Sequence, residues 1–327
     1  MLIIRDGTFE GSFKKLWPRW RKFAIVGILL TITIPSCVGL GVGLGCKPHS
    51  NGGDSLTSGN NAISIWQPAV GDSWQIVLMK PIKVDGGIVT PDVKIYDLDV
   101  YDNDANTIKA LQKSGKKVIC YFSAGSWENW RDDKDDFEKA DLGKVLEGWP
   151  DERWIDVRSD NVRKIMKKRI EFAAEKGCDA IDPDNVDGFQ NDNGLDLTAQ
   201  DAIDFVRFLS ETASSYNMST GLKNAGDIIA DVLEHVHFSV NEQCVKYSEC
   251  EAFAAFIKAD KPVFHIEYPA GTSRKVLTSA RKETCSHSGN AAGTKGFSTV
   301  IKKMTLDGWV EYCGQGKTYS TELDMSA

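Results

Sequence analysis

DNVRKIMKKRIEFAAEKGCDAIDPDNVDGF, residues 160–189, holds one complete helix-to-strand unit and its acidic tip. Val162, Ile165, Met166, Ile170 and Ala173 recur at the three- and four-residue steps of a helix with a single apolar stripe. Cys178–Ile181 is a short apolar run of strand length, and it leads directly into Asp182, Asp184, Asn185 and Asp187.

The same alternation extends in both directions. Strand candidates are Trp74–Met79, Lys94–Asp99, Val118–Phe122, Cys178–Ile181, Ser219–Leu222, Phe238–Val240, Val263–Ile266 and Gly296–Ile301. Ile203, Val206, Leu209 and Ala213 form a second helical stripe behind the capping box Thr198-x-x-Asp201. Strand–helix alternation implies parallel pairing with right-handed crossovers. Eight such units over about 250 residues favour a closed (β/α)8 TIM barrel over an open sheet.

Polar residues gather where these strands end: Asp97, Asp99 and Asp102 after the second; Tyr121 and Ser123 on the third; Asp182, Asp184 and Asn185 on the fourth; Lys223 and Asn224 on the fifth; Asn241, Glu242 and Gln243 on the sixth; Glu267 and Tyr268 on the seventh. In a barrel all these ends share one face, the face that carries active sites.

The amino end has a different character. Residues 1–22 hold six basic and two acidic side chains, a net of +4 against −7 for the whole chain. Phe23–Cys46 then runs 24 residues without an ionised side chain, where roughly 20 suffice to span a bilayer. Trp17 and Trp20 stand before it as interfacial anchors. The expected organisation is a cytoplasmic basic tail (1–22), a single transmembrane helix acting as signal-anchor (23–46), a Gly/Ser/Asn-rich flexible linker (47–62) and the barrel (63–327) outside the cytosol, a type II arrangement. The alternative is secretion after signal cleavage, against which stand the length of the run and the lack of an A-x-A site.

Six cysteines belong to the folded body, an even number that suits an oxidising compartment. Cys244 and Cys250 are close enough to staple a loop; Cys285 with Cys313 and Cys120 with Cys178 complete one pairing among several still open. Asn217-Met218-Ser219 is an N-glycosylation sequon. The 42% hydrophobic and 26% charged composition is that of a globular protein. The acidic balance speaks against nucleic-acid binding.

No Ser/His/Asp nucleophile set stands out, and no phosphate-cradling loop. His235-x-His237 lacks a third ligand, so no metal or cofactor is expected. What remains at the rim is carboxylates, amides and aromatics, the equipment of glycoside hydrolysis. Trp127, Trp130, Trp149 and Trp154 are candidate platforms for sugar rings.

GKKVICYFSAGSWENWR (115–131), GWPDERWIDVR (148–158), GCDAIDPDNVDGF (177–189), GLKNAGD (221–227), NEQCVKYSEC (241–250) and KPVFHIEY (261–268) resemble glycoside hydrolase family 114, the TIM-barrel endo-α-1,4-polygalactosaminidases and their relatives. The resemblance covers roughly residues 65–312 and implies cleavage of α-1,4-linked galactosamine in a cationic polysaccharide partner of the galactosaminogalactan type. It places the family's acidic pair on Asp184, in DPDN, and Glu242, in NEQC. By analogy with other barrels that use these strands, the strand-four Asp184 is expected as nucleophile and the strand-six Glu242 as acid/base. Asp182 departs from the Glu usual at that position. Substrate contacts are expected from Asp99, Tyr121, Ser123, Asp182, Asn185, Lys223, Asn224, Glu267 and Tyr268. A surface carbohydrate-binding protein with little turnover, or a hydrolase of another α-galactoside, is the alternative.

Overall fold

The computed structural model describes residues 65–269, 271–272, 276–314 and 316–326. The basic tail, the expected transmembrane helix at 23–46 and the linker lie outside the described residues.

Eight strands pair in parallel and in chain order: β1 (Trp74–Val77), β2 (Ile95–Asp99), β3 (Lys117–Ser123), β4 (Ala180–Asp184), β5 (Ser219–Lys223), β6 (Phe238–Glu242), β7 (Val263–Glu267) and β8 (Ser298–Ile301). β1, β2, β5 and β7 are buried along their whole length, as parallel strands under a helical layer must be. The sheet curls so that Trp74, Ile76, Ile95, Ile119, Ala180, Phe238, Val240, Phe264, Ile266 and Val300 make one interior cluster. A larger cluster fills the shell between strands and helices.

Period-two alternation then decides the rim. Two or four residues beyond each interior apolar position stand Asp97 and Asp99, Tyr121 and Ser123, Asp182 and Asp184, Lys223, Glu242, and Tyr268. The barrel interior is therefore apolar below and polar at its carboxyl end.

Helices α1 (Ala105–Lys113), α2 (Asp160–Lys176) and α3 (Ala199–Ser215) cover the first half of the sheet. In α2 all five stripe residues are buried, Ser159 caps the start by accepting from the Val162 N–H, and Gly177 ends it at φ 87°. In α3 both halves of the Thr198/Asp201 capping box form. Single turns α4 (Ile229–Val232) and α5 (Cys244–Tyr247), then α6 (Cys250–Lys258) and α7 (Thr278–Thr284), cover the rest. Asn217 of the sequon is exposed at the turn after α3.

The (β/α)8 expectation needs three corrections. First, β1 and β2 are joined without a helix, because Pro81, Gly86, Gly87 and Pro91 leave no helical window in residues 78–94. Second, a three-stranded antiparallel sheet, Ser126–Glu128, Trp149–Ile155 and Leu142–Leu146 in that order, is inserted between β3 and α2. Third, no β8–β1 ladder closes the barrel among the described residues. After β8 the chain turns back as an antiparallel strand, Trp309–Tyr312. The seam is bridged by Trp74 Nε1 donating to the Ser298 carbonyl (2.8 Å), the Tyr312 hydroxyl to the Trp74 carbonyl (2.8 Å) and Gln75 Nε2 to the Gly308 carbonyl (3.0 Å).

Three disulfides form: Cys120–Cys178 joins β3 to the start of β4, Cys244–Cys250 closes the loop after β6, and Cys285–Cys313 ties the end of α7 to the turn that follows Trp309–Tyr312.

Candidate active site

Lys223, at the tip of β5, is the hub of the rim. Its side chain is 2% exposed, and Nζ lies 3.3 Å from Asp184 Oδ1, 3.6 Å from Glu242 Oε2 and 3.9 Å from Asp182 Oδ2. The Tyr121 ring lies beneath the ammonium at 5.2 Å. Burial pulls the ammonium toward its neutral form. The Asp184, Glu242 and Asp182 carboxylates outweigh that and hold its pKa well above the ordinary lysine range.

Asp184 and Glu242 remain reachable, with side chains 17% and 25% exposed. Each is clasped by a tyrosine. Tyr121 donates to Asp184 Oδ2 at 2.9 Å, and the Tyr268 hydroxyl donates to Glu242 Oε1. Burial and the adjacent carboxylates push both phenols upward, so they stay protonated as donors. The Asn185 N–H donates to Asp184 Oδ1 at 2.8 Å. Asn224 accepts from the Glu242 N–H at 2.9 Å and donates to Oε2 at 3.4 Å. Those two Lys223 distances put Asp184 Oδ1 and Glu242 Oε2 at most about 6.9 Å apart, their sum.

In three successive strands the rim residue (Asp184, Lys223, Glu242) is followed at once by a left-handed amide residue: Asn185 (φ 61°), Asn224 (φ 49°) and Gln243 (φ 62°). Asn is among the few side chains that enter this region readily. The kink ends each strand directly after its rim side chain. Gly125 makes room for the first kink, since a Cβ there would overlap the Asn185 carbonyl.

The structure thus brings together Asp184, Glu242, Lys223, Asn224, Tyr121 and Tyr268, with Asp182 fully buried beneath them. Three expected contact residues stand elsewhere. Asp99 is buried against Arg131, whose Nη2 donates to Oδ2 at 2.7 Å, and its Oδ1 accepts from the Tyr101 and Asp102 amides. Ser123 is buried and receives the Asn185 Nδ2 at 2.9 Å, so it supports Asn185 from behind. Glu267 sits on the opposite face of β7, where it accepts from the Val245 N–H (2.7 Å) and pairs with His265 Nε2 (2.9 Å), fixing the loop behind Glu242.

Glu152, on the inserted sheet, is a rim carboxyl that strand-end reasoning missed. Its Oε2 accepts from the Ser126 hydroxyl at 2.7 Å; Ser126 and Ser123 share a 2.6 Å bond, and Ser123 holds Asn185. Burial, with Glu128 and Asp184 adding to it, pushes Glu152 up to about 7. Its only sequence signal was its place in the 148–158 segment. Of the four tryptophans, Trp154 is buried under Gly188 and Trp127 is half-buried, while Trp130 and Trp149 are exposed. The one grouping of metal-ligand types found among the described residues is Cys244, Cys250 and His265, and its two sulfurs are in a disulfide.

Two reachable carboxylates, converging from distant strands on the carboxyl rim of an α/β barrel, are the arrangement with which glycosidases cut a sugar bridge. Comparison with known proteins gives the same class. The model of glycoside-hydrolase family GH114 matches residues 55–318. A crystal structure of Aspergillus fumigatus Ega3 in complex with galactosamine is 53% identical, with a TM-score of 0.71 over 78% of this chain and 100% of that one. The glycoside hydrolase domain of PelA from Pseudomonas aeruginosa shares the fold at 12% identity, with a TM-score of 0.54 over 77% and 99% of the two chains. No curated protein matches. The chain belongs to glycoside-hydrolase family GH114. It is a glycoside hydrolase.

Proposed function

We propose that the enzyme cleaves α-1,4-linked galactosamine in a cationic exopolysaccharide, with Asp184 as nucleophile and Glu242 as acid/base. The observation that carries this reading is the convergence of these two accessible carboxylates on the single ammonium of Lys223. The galactosamine in the Ega3 complex supports an amino-sugar substrate.

Glu242 gives its proton to the bridging oxygen, the bond from that oxygen to the anomeric carbon breaks, and Asp184 forms a bond to the same carbon. Water then attacks that carbon, returning a proton to Glu242 and freeing Asp184. The ceiling of about 6.9 Å between the facing oxygens admits the retaining separation of about 5–5.5 Å. An ammonium on the sugar is attracted to this carboxylate-rich rim.

Residues 23–46 anchor the enzyme, with the barrel outside the cytosol; the three disulfides of the folded body support an oxidising location.

The test is product analysis on defined oligogalactosamines and on partially deacetylated galactosaminogalactan, with Asp184→Asn and Glu242→Gln as controls. Short oligosaccharides from the wild type and none from either variant are expected. Wild-type turnover by either variant would remove that residue from the chemistry. Cleavage of a neutral α-galactoside alone would overturn the substrate.

A further inference from the structure

Below the rim lies a second carboxyl pair that the chemistry above does not use. Asp97 of β2 and Asp182 of β4 are both 0% exposed. Alternate strands of an eight-stranded barrel supply the same interior layer, and the two carboxyls are electrostatic neighbours there. Among the described residues no N–H group and no hydroxyl donates to any of their four oxygens. The neighbouring cation is Lys223, nearer to Asp184 and Glu242 than to Asp182. Two adjacent buried carboxylates would suffer both desolvation and mutual repulsion with only a share of one ammonium to offset them. A single proton between them turns the repulsion into a hydrogen bond, as in other aspartate pairs that share a site.

We propose that Asp97 is a positioning residue: it carries the one proton of the Asp97–Asp182 pair, leaving Asp182 ionised to hold Lys223 between Asp184 and Glu242. The consequence for turnover rests on the catalytic roles given to Asp184 and Glu242; the shared proton does not.

The charged groups facing the pair are Lys223 on β5, Asp184 on β4 and Glu242 on β6. Burial, then the Asp182 charge, pushes the Asp97 carboxyl far upward; burial also lifts Asp182, to about 7, against the pull of Lys223. Both shifts are upward. The stability that this pair contributes is therefore complete below the ordinary carboxyl range and is lost as pH rises through the folded-state values.

The experiment uses Asp97→Asn and Asp182→Asn in the full chain, reading kcat, KM and the unfolding midpoint Tm from pH 5 to 9. Asparagine at 97 replaces one neutral donor by another. Its kcat is expected within about threefold of wild type near neutral pH, with a visibly flatter fall of Tm as pH rises. Asp182→Asn removes the anion 3.9 Å from Lys223 and is expected to lower kcat at least about tenfold with KM little changed, the scale of a weakened buried ion pair. An Asp97→Asn variant whose Tm falls as steeply with pH as the wild type, or whose kcat falls as far as that of Asp182→Asn, overturns the proposal. Should Asp182→Asn fail to fold, the Tm slope of Asp97→Asn decides alone. Full activity of Asp184→Asn would defeat the catalytic assignment while leaving that slope untouched.

Discussion

Replacing Lys223 by methionine removes the charge at the centre of the rim while keeping most of the side-chain volume. At an effective dielectric of about 20, a unit charge pair at the observed 3.3 Å is worth about 5 kcal/mol, and one at 3.6 Å slightly less. These are ceilings, because the buried ammonium has also given up its hydration. If about half of one such interaction survives that offset, transition-state stabilisation falls by roughly 2–3 kcal/mol, or about 30- to 150-fold in kcat/KM. The assay is kcat/KM on a galactosamine oligomer of defined length from pH 4 to 9, with Tm recorded alongside. A Lys223→Met enzyme within threefold of wild type across that range would refute the claim that this ammonium organises the pair.

Two other substitutions test the supports of the rim. Glu152 is held near 7, well above an unfolded glutamate, so its contribution to stability is present below about pH 4.5 and disappears as pH rises through about 7. Glu152→Gln should therefore gain stability over the wild type between pH 5 and 8, by an amount of order 2 kcal/mol in chemical denaturation, and equal gains at both ends would contradict the shift. Gly125→Ala forces a Cβ into the Asn185 carbonyl and should lower stability by about 1–3 kcal/mol, with loss of kcat exceeding loss of substrate binding. An alanine variant with native Tm and kcat would show that the Asn185 kink is not tightly held.

Much of this molecule could be read before its coordinates. All eight parallel strands formed where short apolar runs had been expected, and the stripes of α2 and α3 and the Thr198 cap formed as periodicity implied. The inserted sheet escapes a reading by period because Ser126–Glu128 is only three residues long and the pairing of Leu142–Leu146 with Trp149–Ile155 is bulged. Glu267 was misplaced by one step of parity: Phe264, Ile266 and Tyr268 face the interior, which turns His265 and Glu267 outward. Asp99 faces the right way, but Arg131, 32 residues along, captures it, and no local pattern announces such a partner. The coupling of Asp97 to Asp182 likewise depends on barrel layering, which appears only once strand order is known.

The left-handed residues after Asp184, Lys223 and Glu242 separate two kinds of chain. On one side is the hydrogen-bonded ladder, which shares its rigidity with seven neighbours. On the other are connecting segments free to differ in length and composition. A descendant of this enzyme could therefore exchange those segments, lengthening its groove or reshaping its grip on neighbouring sugars, while the distance between its two facing carboxylates stayed as its ancestor had it.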